Sequence, residues 1–148
     1  MDNGFIQNGG TVGFGLQNNS GVNRFEFYYA AGGANEYTIN IGGTTTGTGI
    51  GFTGNGLSLV FTEGSGNAWS LDVTPSGGSA SHFSGTLAAS DIEQVRVFNA
   101  NAGSGGNNDA FFNNIQVVPE PVNIALGIFG VLAIGSIGFR RFFSRRSP

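Results

Sequence analysis

The chain has 148 residues, enough for one domain and a tail, and its formal net charge is −3 at pH 7. Cysteine is absent and there is a single histidine, which excludes disulfides, zinc–thiolate sites and multi-histidine metal sites. Glycine accounts for 27 residues, yet 39% of the chain is hydrophobic and 14 residues are phenylalanine, which favours a folded chain over a disordered one.

Alternation of apolar and polar residues predicts strands through most of residues 1–118. The clearest alternating stretches are 11–17, 22–30, 36–41, 57–62 and 68–74, followed by 81–87, 94–99 and 110–118. Turns rich in glycine, asparagine and serine separate them. This pattern is typical of an antiparallel β-sandwich or jelly roll. Only residues 88–94 suggest a helical turn, with Ser90 as its N-cap and Glu93 three residues later.

The alternation also predicts which aromatic side chains are buried. Trp69 alternates in step with Leu71 and Val73, so its ring is expected in the core. Tyr28 lies on the polar face of segment 22–30, opposite the phenylalanines. It is therefore the candidate exposed aromatic residue for contact with carbohydrate.

Other motifs that can mark a catalytic or binding site match poorly in this sequence. A GxGxxG motif at residues 49–54 is followed by a predicted strand, whereas a dinucleotide site needs a helix, so we interpret it as a glycine-rich loop between strands. The histidine, His82, has no GxSxG elbow nearby and is expected on a sheet surface. Residues 99–109 are rich in oxygen donors but contain one carboxylate, which favours an ordinary loop over a calcium site.

Catalysis and nucleic-acid binding are also disfavoured. Glycoside hydrolysis uses paired carboxylates, and no two acidic residues of the predicted strands share a face of one strand. Residues 1–118 contain two arginines, no lysine and eight acidic residues, which does not suit phosphate binding. We expect a protein that is not an enzyme, with no catalytic residues, cofactor or metal.

The C-terminal residues have the pattern of a membrane span. Residues 122–139 carry no charge, and as a helix they would extend about 27 Å, close to the ~30 Å hydrocarbon core of a bilayer. Arg140, Arg141, Arg145 and Arg146 follow this run. By the positive-inside rule these arginines stay in the cytoplasm, and residues 1–118 lie outside it.

Pro119, Glu120 and Pro121 stand immediately before the apolar run. The two prolines cannot join a helix interior or a sheet ladder, so they favour an extended, accessible strip. The order of proline motif, apolar span and arginine cluster resembles the PEP-CTERM sorting signal of bacteria. The resemblance implies recognition by exosortase, a membrane protease-transpeptidase that removes the tail and passes the protein to the cell surface or exopolysaccharide matrix.

The preceding residues are similar to the concanavalin-A-like jelly rolls found ahead of such signals. The similar stretches are 13–18 (GFGLQN), 25–28 (FEFY), 95–99 (VRVFN) and 111–115 (FFNNI). This resemblance is at the level of pattern, and it implies a fold without implying any catalytic residue.

We therefore expect an all-β body, residues 1–118, and a sorting signal, residues 119–148, with a single C-terminal transmembrane helix. The protein would lie in the inner membrane during sorting and then at the cell surface or outside the cell. The alternatives are a permanently anchored protein, a module that binds the exopolysaccharide, and a glycosidase. Residues 1–20 lack the basic and apolar segments of an export signal, so we expect a fragment or a start at an internal methionine.

Overall fold

A computed structural model of the protein describes residues 1–117. The strands are β1 (Asp2–Asn3), β2 (Thr11–Gln17), β3 (Asn23–Ala30), β4 (Glu36–Ile41), β5 (Thr44–Gly51), β6 (Leu57–Glu63), β7 (Ala68–Pro75), β8 (Ser81–Thr86), β9 (Gln94–Ala100) and β10 (Ala110–Phe111). Short 3-10 turns, Ser65–Asn67 and Gly106–Asn108, follow β6 and β9. Among residues 1–117 there is no helix with the length and apolar character that a membrane span requires.

The strands form three antiparallel sheets. One sheet has five strands in the order β5-β4-β3-β2-β9, a second has three in the order β6-β7-β8, and β1 pairs with β10. Successive strands are neighbours within each of the larger sheets, whereas β9 follows the second sheet and returns to pair with β2. The described part of the chain is thus all-β and antiparallel, consistent with the predicted β-sandwich.

The core lies between the two larger sheets. Phe25 of β3 is fully buried, and its ring centroid lies 5.0 Å from that of Trp69 on β7 and 4.8 Å from that of Phe61 on β6. The buried side chains of this cluster are Phe14, Leu16, Phe25, Phe27, Tyr37, Ile39, Leu57, Trp69, Leu71, Val73 and Leu87. Along β3, β4, β6 and β7 they alternate with less buried, mostly polar residues, so the core faces predicted for these strands are confirmed, including that of Trp69. In β2 the intervening glycines are buried as well.

The three-stranded sheet does not cover the whole inner face of the five-stranded sheet. Val95 and Val97 of β9 pair with the buried Leu16 and Phe14 of β2, so they share the inner face. They are nevertheless 45% and 43% exposed. The edge strand β9 therefore presents apolar side chains to solvent.

Several sequence predictions differ from the structure. Residues 88–93 form no helical turn, because Asp91 is instead held by Arg24 of β3. The strand predicted over residues 110–118 is limited to Ala110–Phe111, since its partner β1 has two residues. Strand β5 was not predicted, because its threonines and glycines show no apolar alternation.

The glycine motif at residues 49–54 begins inside β5, so its interpretation as a loop was wrong for its first half. The pairing of β4 with β5 shifts register between Glu36 and Thr38, and Gly49 in the shifted stretch has φ +69°. Its N–H donates to the carboxylate of Glu36. The N–H of Gly49 in this motif is thus already hydrogen-bonded to a side chain of the neighbouring strand.

Two glycines of β2 provide a matched test of how tightly the sheet packs. A Cβ on Gly13 would lie 2.6 Å from the Cβ of Tyr28 and closer still to the carbonyl oxygen of Phe27. A Cβ on Gly15 would meet its nearest atom, Cγ of Glu26, at 3.4 Å. Gly13 therefore cannot gain a side chain without a shift of backbone.

We expect Gly13→Ala to lower the free energy of unfolding by about 1–3 kcal/mol, the usual cost of overpacking. Gly15→Ala should leave it unchanged or raise it by up to ~1 kcal/mol, because alanine restricts the unfolded chain. Urea unfolding followed by Trp69 fluorescence measures both. Equal midpoints for the two variants would contradict this account.

Candidate functional site

The outer face of the five-stranded sheet carries the predicted contact residue Tyr28. Tyr28 of β3 pairs with Gly13 of β2, and Gly13 pairs on its other side with Phe98 of β9. Both aromatic side chains are half-buried. With strands about 4.8 Å apart, the Cα atoms of the two aromatic residues are separated by about 10 Å across a glycine. Gly13, between the two residues, carries no side chain and is itself buried.

A row of polar residues runs beside Tyr28 and Phe98. Glu26 and Arg96 pair with opposite sides of the next glycine of β2 on this face. The Glu26 carboxylate accepts hydrogen bonds from Nδ2 of Asn23 at 2.7 Å and Nδ2 of Asn40 at 2.8 Å. The Arg96 guanidinium lies over the ring of Phe98, 5.0 Å from its centroid. Glu26 is thus held by two asparagines, and Arg96 packs against an aromatic ring.

A concave surface lies beside the short β1–β10 sheet. This cleft, which we call the terminal cleft, has a volume of about 470 Å³. Its lining includes Asp2, Asn3, Phe5, Asn107, Asp109 and Phe111, together with glycine backbone. The side chains of Phe5 and Phe111 are 67% and 54% exposed, unusually high values for phenylalanine.

Asn3 is the buried polar residue of this cleft, with 2% exposure. Its Oδ1 accepts a hydrogen bond from the hydroxyl of Tyr37 at 3.1 Å. Burial raises the pKa of the Tyr37 hydroxyl, so that hydroxyl stays protonated and acts as the donor. The Asn3 Nδ2 has no hydrogen-bond partner.

Hydrogen bonds join the two walls of the terminal cleft. The N–H of Gly4 donates to the carbonyl oxygen of Asp109 at 2.9 Å. Nδ2 of Asn108 donates to the carbonyl oxygens of Phe5 at 2.9 Å and of Ala102 at 2.6 Å. The N-terminal segment and the loop before β10 therefore hold a fixed arrangement.

His82 lies on the outer face of the three-stranded sheet, as predicted. Its Nδ1 is 2.6 Å from Oδ1 of Asp72, its direct partner across β7 and β8. Both side chains are exposed, 61% and 49%. Among residues 1–117, no three or more histidine or acidic side chains are grouped so that they could hold a metal ion.

Arg24 and Asp91 form a bidentate ion pair where a helical turn was predicted. Nε of Arg24 lies 2.6 Å from Oδ1 of Asp91, and Nη2 donates to Oδ2 at 2.7 Å. Nδ2 of Asn18 adds a third hydrogen bond at 3.2 Å. The hydrogen bond from Arg24, followed by that from Asn18, lowers the pKa of the Asp91 carboxyl to about 2. The pair ties the loop before β9 to β3.

The terminal cleft was not predicted from the sequence. Its two walls come from residues about a hundred positions apart, so no local motif reports it. The available signal was the placement of Phe5 and Phe111 among glycine, asparagine and aspartate, where a core residue is not expected.

The other predicted site residues, Pro119, Glu120, Pro121 and the four terminal arginines, lie outside the described residues, as does the apolar run 122–139. No protein-family model matches the chain, and no curated protein or solved structure shows significant similarity to it. Function is therefore inferred from the sequence of the tail and from the geometry of the body.

We expect Asp91→Asn to remove an acid-sensitive part of the stability. Because the pKa of Asp91 is about 2 in the folded state and about 3.9 in an unfolded chain, the pair stabilises the fold above pH 4. That contribution is lost as the pH falls from about 4 to about 2. The wild-type Tm should therefore fall more steeply over this range than the Tm of Asp91→Asn.

The matched control is Glu93→Gln, which changes an exposed acid in the same loop. It should show the same pH dependence as the wild type in thermal unfolding followed by circular dichroism. A parallel decline of Tm in the wild type and in Asp91→Asn would show that the ion pair does not stabilise the folded state.

Proposed function

We propose that this protein is an exported surface or extracellular-matrix protein, not itself an enzyme, that an exosortase-type transpeptidase sorts through its tail. The observation that carries the proposal is the order of three features in residues 119–148: the Pro-Glu-Pro motif, an uncharged apolar run and an arginine cluster. The chain is the substrate of this reaction. The peptide bond is cleaved by the partner enzyme, at or near the motif.

Each part of the tail has a distinct physical role in this proposal. Pro119, Glu120 and Pro121 form the recognised strip, because prolines keep the backbone extended and open to a protease. Residues 122–139 hold that strip at the bilayer as a single transmembrane helix. Arg140, Arg141, Arg145 and Arg146 fix the orientation by remaining in the cytoplasm.

The described residues are compatible with a body that is carried outside the cell by this tail. They form an all-β unit, and residues 114–117, which lead to the motif, contain no helix or strand. Ile115 and Val117 in this stretch are 57% and 78% exposed. We further propose a jelly-roll arrangement, since the return of β9 to β2 is a long connection of the Greek-key kind that such folds use.

Glu120→Ala should reduce processing of the full-length protein in its host at least tenfold. Loss of one charge-assisted hydrogen bond costs roughly 1.5–3 kcal/mol, and 1.4 kcal/mol is a factor of ten. Intact-mass measurement of the surface and membrane fractions reports the outcome. The wild type should end near residues 119–121, and the variant should accumulate with a mass that runs through Pro148.

The control is Glu93→Ala, which removes an exposed acid of the body and should be processed normally. Normal processing of Glu120→Ala would contradict recognition of the motif. A wild-type protein found only in the membrane and intact through Pro148 would make the tail a permanent anchor instead.

A second candidate function is binding of exopolysaccharide on the outer face of the five-stranded sheet. It is favoured by the arrangement of Tyr28 and Phe98 on either side of Gly13, with a polar row alongside. Tyr28→Ala should then abolish saturable binding of the host's exopolysaccharide. Val60→Ala, which truncates an exposed residue of β6, should not change it. Equal binding by both variants would count against the sheet face.

A further inference from the structure

Strand β6 is the edge of the three-stranded sheet on the side of β2 and β9. Side chains of β8 line a cleft together with side chains of β4 and β5, whereas Phe61 of β6 packs against Phe25 of β3. The three-stranded sheet therefore lies over β5, β4 and β3, and a further strand beside β6 would lie over β2 and β9. It would cover the apolar residues of β9, Val95 and Val97, which are now nearly half exposed.

The backbone of β6 presents hydrogen-bonding groups at this edge. The amino group of Met1 donates to the carbonyl oxygen of Leu57 at 2.7 Å, and the N–H of Leu57 donates to the carbonyl oxygen of Met1 at 2.6 Å. Such an exchange of both bonds is the antiparallel pattern, so the backbone groups of Leu57 point away from β7. Those of Leu59 and Phe61 point the same way, because the direction alternates along a strand. Among residues 1–117, no strand pairs with them there.

Residues 115–117 have the character of a strand that could occupy this edge. Ile115 and Val117 are 57% and 78% exposed, and Gln116 between them is exposed as well. The segment thus alternates apolar and polar side chains, yet it pairs with no strand of the described residues. The chain therefore contains both a sheet edge without a neighbour and an apolar, alternating segment without a partner.

One antiparallel register matches the two. When Val117 lies opposite Leu59, Ile115 lies opposite Phe61, and residues opposite each other point to the same face of a sheet. Leu59 and Phe61 pack against the core, so Ile115 and Val117 face inward, toward the valines of β9. A slip of one residue would instead turn the polar Gln116 inward.

The same register explains where the added strand ends. Pro119 follows two residues after Val117 and has no N–H with which to extend a ladder. It would come opposite Leu57, whose backbone groups are already bonded to Met1. The added strand therefore needs no pairing beyond the residues that the edge leaves open.

The direction of the strands favours a second copy of the chain as the donor. Because β1 is antiparallel to β10 and Met1 is antiparallel to Leu57, β10 runs parallel to β6. The segment that follows Phe111 in the same chain thus starts out parallel to β6. All strand pairs of the described residues are antiparallel, and a segment from another copy can enter in that direction.

We propose that residues 115–117 of one copy of this protein add as an antiparallel strand to β6 of a second copy, where they cover Val95 and Val97 of β9. Main-chain hydrogen bonds supply the affinity, and the two inward side chains supply the register. Each copy has one donor segment and one acceptor edge, so the contact is heterologous and links copies into an open chain. This self-association goes beyond the sorting function and does not depend on cleavage of the tail.

The test traps the contact between full-length chains in detergent micelles. The natural chain has no cysteine, so Val60→Cys and Gln116→Cys each introduce a single thiol. In the proposed register these two residues form a non-hydrogen-bonded pair with Cα atoms about 4.5 Å apart, which a disulfide can bridge. In a glutathione redox buffer they should form a linked heterodimer at least ten times faster than Gln116→Cys does with Ser84→Cys, which places the thiol at an exposed position of β8.

A second change tests the inward side chains. Val117→Asp in the Gln116→Cys chain should slow the cross-link at least tenfold, because it places a charge against the valines of β9. The matched change Asn114→Asp places the charge at an exposed position that faces outward in this register, and it should leave the rate within twofold. If Val117→Asp does not fold, Val97→Asp in the Val60→Cys chain makes the same test from the acceptor side.

Other outcomes would overturn the proposal. Equal rates with Val60→Cys and Ser84→Cys would do so, as would a rate that Val117→Asp and Val97→Asp leave unchanged. A chain carrying both Val60→Cys and Gln116→Cys that closes its disulfide internally at high dilution would assign the edge to its own segment. Failure here is separable from failure of the sorting proposal, which is measured by mass on the processed tail.

Discussion

The packing of Phe25 against Trp69 and Phe61 is the contact on which the rest of the body depends. Phe25 is contributed by the five-stranded sheet, and the other two rings by the three-stranded sheet, so the contact joins the two layers. Full burial of a phenylalanine contributes about 1.5–3 kcal/mol, and several such residues are buried together here. With 10% charged residues and no cysteine, the chain has few other means of holding its sheets together.

Alternation along the strands is the constraint that this core imposes on the sequence. Because a one-residue slip would move the phenylalanines of β2 and β3 to the solvent face, register is strongly specified in the centre of the body. The core does not constrain the outer face of the five-stranded sheet, which carries glycines, a tyrosine and a row of polar residues. The surfaces that the core leaves free are therefore the outer face of the sheet and the terminal cleft.

The same constraint explains what could be predicted from the sequence. Strands with one buried face, such as β2, β3 and β7, carry a clear period of two and were located to within a residue. Strand β5 was missed because it is an edge strand of threonine and glycine, held by backbone pairing and by the Glu36 carboxylate rather than by burial. The loop near Asp91 was misread because its partner, Arg24, lies 67 residues away. Asn3 and the terminal cleft depend on pairing between the two ends of the body, which no local pattern contains.

The return of β9 to β2 has a kinetic consequence. Pairing Gln17 with Gln94 closes a loop that contains strands β3 to β8. The chain loses the entropy of closing this loop before it gains the contacts between β2 and β9. Topologies dominated by such distant pairings fold in milliseconds to seconds rather than microseconds. Until residue 100 has been synthesised, β2 has one unpaired edge. A ribosome-bound chain that stops short of β9 thus cannot complete the sheet, and the body is expected to reach its final state only after its synthesis has passed this strand.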